Sequence, residues 1–592
     1  MRHRGAGQGR AEQGRAGQGT AEQGRAPRCA LGSGRTLRSP PGRNDRADGA
    51  GRCVEEGEEE EEETGRGLRV HVVANRALRN NSRMTLQEES AEAGSGMSQK
   101  QLKEAFVSHL NGTNLLELSA GTPLAPLCVL CRGLLLVLYC QRYGSTFRSG
   151  PAALLLDVAV LVSPLLLSCT VLPHALLVAP AVLAALCAGI YVTIHRQRQR
   201  DSTVPLRQIV RSFQNTRLDP GCIPAITVFR VYVNVLTCIS ILAVDFPQFP
   251  RRYAKAETYG TGIMDLGVGA FIFSNALVCP EVRQEAAGTR PRFSSLAKQL
   301  FAIWPLVVLG FGRLVSVKSI GYHEHVSEYG VHWNFFFTLA LVRLVASLLL
   351  AVFPINKSWI VAVTVAVLYQ LTLNVTSLKT FILHGSNGED TRTGFLNANR
   401  EGLLSIFGYL AIYMASVQVG LYVLKRRDSV KDWMGAACLL LLAALVLFVF
   451  LHISQTHTDP VSRRMANLSY CLWVIASCLT FFVSFVVVDL VLLFTKLLVK
   501  GSAVPSCWRA VKAPGSKEQQ AEAVHVCLIA AINKNQLLFF LLANVMTGVV
   551  NITIDTIHSR AALTLCILHL YMFLNCFIMY ILHTKNIVLK FW

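Results

Sequence analysis

Charge is what this sequence has least of. Asp, Glu, Lys and Arg together make up 16% of its 592 residues, against 52% hydrophobic, and the mean hydropathy is +0.40. Soluble globular domains are near a quarter charged, so a soluble enzyme is excluded. The formal net charge of +20 is then a membrane-protein feature, not the footprint of a nucleic-acid binder. Other signatures are absent too. There are no alternating strands of about ten residues such as build an outer-membrane barrel. No G-x-S-x-G nucleophile elbow and no convincing Cys/His dyad occurs, which disfavours a covalent acyl-enzyme. No H-E-x-x-H occurs, and His323 and His325 are two apart, a spacing that does not share a helix face, so no metal is expected. Gly267-Val-Gly269 and the "YGTG" at 259–262 lack a βαβ context and read as close packing, not as a dinucleotide loop. The 17 cysteines lie mostly inside apolar runs, Cys128 and Cys131 among them, and read as small buried hydrophobes without a disulfide framework.

What is present is a series of apolar segments, many near the 20 residues that span a hydrocarbon core as a helix. Windows fall near 122–140, 151–171, 173–194, 223–244, 262–280, 299–317 and 332–353, then near 358–374, 402–424, 434–453, 467–495, 536–556 and 562–583. The predicted fold is an all-α polytopic membrane protein of about thirteen spans, since lipid requires every backbone amide to be satisfied within the segment. The eleventh window is long enough for one tilted helix or for a break. Connections after the odd-numbered spans hold the larger share of Lys and Arg, including "RQRQR" at 196–200, "KRR" at 425–427 and the 496–534 segment. Positive-inside bias makes these cytosolic, the N-terminus from Met97 lumenal and the C-terminus cytosolic.

Residues 1–96 are a separate low-complexity region with 16 Arg and 15 Asp or Glu, and no lysine precedes Lys100. Composition predicts disorder. They are expected to be either a disordered extension or an upstream stretch assigned through a wrong start, with Met97 the favoured start and 97–592 the membrane domain. The segment after Met97 predicts a short, surface-lying amphipathic helix ending near Asn111-Gly112. Sequons at Asn111 and Asn374 fall on the expected lumenal side.

Several spans carry residues that hydrocarbon disfavours: Arg132, Asp157, Arg230, Asn234, Asp265, Arg313, Arg343, Gln370 and Asp489. Such groups face partners or water-filled cavities, and their concentration in spans 4 to 7 suggests a polar cavity. The most unusual polar stretch is "AVDFPQFPRRYAKAETYGTGIMDLG", 243–267. It puts basic residues on the expected lumenal side, against the charge rule, which suggests that they have another task.

That block, with "KEAFVSHLNGTN" (103–114), "SIGYHEHVSEYGVHWNFFFT" (319–338), "GFLNANREGLLSIFGYLAI" (394–412) and "VSRRMANLSYCLWV" (461–474), resembles the GPI-anchor inositol acyltransferase family, with its animal class W and fungal wall-transfer members. The resemblance runs from Met97 to Trp592. It implies an endoplasmic reticulum membrane enzyme that moves a fatty acyl group, typically palmitoyl, from acyl-CoA to the inositol 2-hydroxyl of glucosaminyl-phosphatidylinositol. Acyl-CoA is a co-substrate, and no cofactor is implied. The family's catalytic acid and lysine lie in the D-F-P-x-F-P-R-R-[FY]-A-K block and map onto Asp245 and Lys255. The residue chemistry agrees. A rim carboxylate can take the hydroxyl proton, and a lysine can stabilise an oxyanion. Arg251 and Arg252 suit phosphates, and Pro247 and Pro250 stiffen the segment. Arg230 and Asp265, from the polar set, are assigned with them to substrate binding. Two alternatives stay open: Asp245 anchoring the loop through an arginine, and a transporter or flippase in place of an enzyme.

Overall fold

The computed structural model describes residues 99–589 apart from short stretches, chiefly 171–174, 289–292, 321–325 and 509–526. The expectations about residues 1–96, and the His323/His325 pair, lie outside the described residues. Among the described residues the chain is helical with two isolated β-bridges, Thr113 to Thr261 and Arg217 to Ser429, and no group of His, Cys, Asp or Glu is placed to hold a metal.

Among the described residues thirteen helices are long and apolar enough to cross a membrane. They are Leu115–Tyr143, Gly150–Cys169, Val178–Arg200, Pro224–Ala243, Ile263–Ala286, Ala297–Ser319 and Phe335–Val352 (spans 1 to 7), then Ile355–Val375, Arg400–Leu424, Val430–His457, Leu468–Leu498, Gln536–Thr553 and Ala561–Thr584 (spans 8 to 13). Each predicted window is matched. Span 11 is one unbroken helix of 31 residues. At 1.5 Å per residue it is about 46 Å long, well beyond a ~30 Å hydrocarbon core, so it tilts or projects into the interface. It packs against spans 1, 4, 5, 9 and 10 and forms the centre of the bundle.

Contacts between connections confirm that successive spans run in opposite directions. The 243–263 connection touches the segment before span 1 through Thr113 N–H to Thr261 O (2.7 Å) and Glu257 N–H to Leu110 O (2.9 Å). It also touches the 458–467 connection through Gly260 N–H to Val461 O (2.9 Å), and the 553–561 connection through Gln248 Nε2 to Ser559 O (2.9 Å). At the other membrane face Leu218 N–H reaches Asp428 O (2.9 Å). The short helix at Gln99–Phe106 does more than lie on a surface: Lys103 Nζ donates to the Asn551 backbone and side-chain oxygens, both at 3.2 Å.

Most of the polar residues inside spans are paired. Arg132 and Asp157 form a two-point ion pair (2.7 and 3.2 Å), Arg132 also reaches Pro505 O, and Asp157 accepts from Leu528 N–H (2.9 Å). That cluster pins the connection after span 11 back into the bundle. Arg343 pairs with Glu281 (3.0 Å), and Gln370 donates to Asp459 (3.2 Å). Asp489 accepts from Ala225 N–H at the start of span 4, supplying one of the acceptors that a helix N-terminus lacks. Cys128 and Cys131 are buried thiols, as expected.

Antiparallel alternation places His558, 68% exposed, and Arg426, 79% exposed, on opposite faces. Cysteines substituted singly at these positions, with the exposed Cys438 and Cys566 replaced, are expected to label from opposite sides of sealed vesicles. Labelling of both from one side would contradict the thirteen-span arrangement.

Candidate active site

Span 4 ends at Ala243, and the chain turns through Asp245 to Lys255 before span 5 begins at Ile263. The turn is anchored by its aromatics: Phe246, Phe249 and Tyr253 are each 0% exposed. Pro247 and Pro250 fix φ between them. Glycine is required twice just beyond. Gly260 has φ +137°, and a Cβ there would lie 2.1 Å from Asn111 O; one on Gly262 would lie 2.1 Å from Ala254 O. The expected close packing therefore holds for the "YGTG" stretch and for Gly269, whose Cβ would fall 2.6 Å from Val474, but Gly267 faces open space.

Arg251 closes the end of span 4. Its Nη2 donates to Val244 O, Phe246 O and Phe249 O, all at 2.9 Å, and its Nε to Phe249 O at 3.1 Å. These include carbonyls that a helix C-terminus leaves without partners, where a cation is also favoured by the helix dipole. The guanidinium stacks over the Phe106 ring, 4.1 Å from its centroid. Burial brings its pKa down to about 10, with the nearby Asp245 carboxylate working in the opposite direction. It remains charged at neutral pH.

Arg252 donates through Nε and Nη2 to Glu117 Oε1 (3.1 and 2.9 Å), and the Tyr253 hydroxyl donates to the same oxygen. Both arginines expected to meet phosphates thus hold the turn. Arg251 Nη1 alone is buried with no hydrogen-bond partner among the described residues.

Asp245 is 5% exposed, and its Oδ2 accepts from Asn551 Nδ2 at 2.6 Å. Asn551, near the end of span 12, presents its Oδ1 to Lys103 and its amide N–H to the carboxylate, so a cation fixes the orientation of the amide that holds the acid. Lys255 engages different partners. Its Nζ lies 2.6 Å from Glu328 Oε2, and its side chain is 35% exposed. Glu328 Oε1 also meets Arg463 Nη1 (3.4 Å), and Arg463 Nε meets Asp265 Oδ1 (2.8 Å). Asp265 uses its other oxygen to accept from Ala256 N–H, next to Lys255, at 3.0 Å. Asp265 is 0% exposed and holds the turn through both oxygens. Burial works against the charge of Arg463, but Glu328 and Asp265 outweigh it and raise its pKa above the ordinary value.

Arg230 joins neither cluster. It lies one helix length down span 4, toward the opposite membrane face. The structure therefore gathers Asp245, Arg251, Asn551 and Lys103 at one end of the turn, and Lys255, Glu328, Arg463 and Asp265 at the other. Sequence reading missed Lys103, Glu328, Arg463 and Asn551 as individual residues, although the first three lie inside the blocks that carried the resemblance.

Arg463 stands between two acids, so Arg463→Met should destabilise the protein by about 3–5 kcal/mol, the usual consequence of leaving buried charge unpaired. Adding Asp265→Asn and Glu328→Gln should recover most of it. Thermal unfolding in detergent checks this, and a loss below about 1 kcal/mol, typical of an exposed pair, would contradict the described role.

Residues 99–582 match the model of the GWT1 family. The chain is 49% identical over 505 residues to the Bos taurus glucosaminyl-phosphatidylinositol-acyltransferase PIGW, covering 84% of this chain and all of the relative. The Homo sapiens PIGW is 46% identical over the same shares. The Aspergillus fumigatus GPI-anchored wall transfer protein 1 is 35% identical over 515 residues, 82% of this chain and 98% of the relative. A match over more than four-fifths of the chain at these identities makes it a member of the GWT1 family.

Proposed function

We propose that this acyltransferase moves a fatty acyl group, typically palmitoyl, from acyl-CoA to the inositol 2-hydroxyl of glucosaminyl-phosphatidylinositol, in the endoplasmic reticulum membrane with the Asp245 face lumenal. The observation that carries the reading is the Asp245–Lys255 turn. A buried carboxylate held by Asn551 stands at its start, a half-exposed lysine at its end, and ion pairs or hydrogen bonds tie it to four neighbouring segments. The relatives' names supply the acceptor, and the donor follows from the chemistry of an activated acyl group.

Asp245 takes the proton of the 2-hydroxyl as its oxygen attacks the thioester carbon. The C–O bond forms, and the carbonyl oxygen becomes an oxyanion. Lysine has three N–H donors, of which Glu328 occupies one, so Lys255 can offer another to that oxygen without leaving its partner. Collapse breaks the C–S bond. The CoA thiolate leaves and takes up the proton that Asp245 holds, which restores the carboxylate. Arg251 keeps the turn in one geometry, and positioning of this kind matters because misplacement of about 1 Å can lower rates about 10²-fold.

Asp245→Asn keeps the hydrogen-bonding shape but removes the basicity. Purified, folded variant should lose about 10²–10⁴ in turnover. Lys255→Ala should also lower turnover, and Lys255→Arg should restore charge without geometry, recovering little. If folded Asp245→Asn transfers acyl groups at nearly the normal rate, the base assignment is wrong.

A further inference from the structure

Lys103 has an ordinary task and a second one that the first does not explain. Span 12 ends at Thr553, and its last carbonyls need donors from outside the helix. Lys103 Nζ supplies one to Asn551 O (3.2 Å), where a cation is also favoured by the helix dipole. The same ammonium donates to Asn551 Oδ1, again at 3.2 Å. That second contact concerns the side chain that holds Asp245.

The Asn551 amide has both of its ends assigned. Its Nδ2 donates to Asp245 Oδ2 at 2.6 Å and to Thr547 O at 3.1 Å, and its Oδ1 accepts from Lys103. Rotating the amide by half a turn would set its oxygen against a carboxylate and a carbonyl, and its NH2 group against an ammonium. Lysine has no acceptor and an ionised carboxylate has no donor, so all three contacts would become repulsive. Asn551 is half-buried, so without Lys103 water would compete for its oxygen and loosen the amide.

The same helix reaches Asp245 by a second route. Phe106 lies three positions beyond Lys103, on the same face of Gln99–Phe106. Its ring carries the Arg251 guanidinium, 4.1 Å from the centroid. Arg251 in turn holds Val244 O and Phe246 O, the carbonyls on either side of Asp245. One short helix therefore acts on the acid twice, through Asn551 on its carboxylate and through Arg251 on the backbone that carries it.

We propose that Lys103 is a positioning residue for acyl transfer, fixing the Asn551 amide as a donor so that the Asp245 carboxylate stays aimed at the inositol hydroxyl. Phe106 supports the same aim through Arg251, which makes the helix before span 1 part of the active site. This rests on the reading of Asp245 as the base and adds to it the groups that orient that base. Lys103 is assigned no contact with substrate, so its effect on the rate must run through Asn551.

The test uses the full-length chain in detergent, with long-chain acyl-CoA and a glucosaminyl-phosphatidylinositol analogue. Lys103→Met and Asn551→Leu are measured singly and together. Each single change should lower kcat by about tenfold or more, since misplacement of about 1 Å can lower rates about 10²-fold. KM for either substrate should stay where it is in the unaltered protein. The double variant should turn over no more slowly than Asn551→Leu alone, because the lysine then has no amide left to orient. Lys103→Gln gives the same cycle at this half-exposed position if Lys103→Met does not fold. A double loss equal to the product of the two single losses would show independent roles and overturn the proposal. A rise in KM with kcat unchanged would assign Lys103 to substrate binding and overturn it equally. Near-normal turnover by Asp245→Asn would instead overturn the base reading beneath it, a result that the Lys103–Asn551 cycle cannot produce by itself.

Discussion

Arg463 binds Asp265 and Glu328 at the same time, and the site face of the bundle is assembled around that shared cation. Asp265 belongs to span 5, Glu328 to the helix before span 7, and Arg463 to the connection before span 11. Once the three are joined, Asp265 fixes Ala256 N–H and Glu328 fixes Lys255, so the end of the Asp245–Lys255 turn is set by a residue some two hundred positions away. A buried pair of this kind is weak evidence for stability, since desolvation opposes the attraction. Its clearer consequence is geometric: lysine and turn cannot move independently of the helices.

The other end of the turn follows the same physics with different groups. Arg251 satisfies carbonyls left over at the end of span 4, and Asn551 presents an amide to Asp245 while Lys103 holds its other side. In a low-dielectric setting an unsatisfied polar group is expensive, so each member has one favourable orientation. A turn held in one geometry results from backbone groups that need partners and side chains that supply them. Arg251 and Arg252, the residues most suggestive of phosphate binding in the sequence, also supply such partners, to backbone carbonyls and to Glu117.

The spans were legible because apolar length is a local property, and every window from 122–140 to 562–583 corresponds to a helix. Span 11 was ambiguous only in continuity, which tertiary burial decided. The turn from Asp245 to Lys255 was legible from its composition and its resemblance to a family. Its partners were not. Nothing local distinguishes Glu328 from other surface acids, or Asn551 from the asparagines at 544 and 575, until folding brings them beside Lys255 and Asp245. Asp265 illustrates the same limit: nothing local in the sequence shows that its two oxygens meet Arg463 and Ala256 N–H. Arg230 shows the limit from the other side: that its Nε is buried without an acceptor among the described residues is not visible from the sequence.

The central claim is that this bundle performs a chemical transfer, not a translocation. Purified protein in detergent, where transport has no meaning, should convert acyl-CoA and a glucosaminyl-phosphatidylinositol analogue into free CoA thiol and acylated lipid in equal amounts. Thiol titration together with mass analysis of the lipid measures both. One thiol released per acyl group gained on the inositol is the predicted result; an unchanged acceptor, with acyl-CoA moved across sealed vesicles by the same protein, would contradict it.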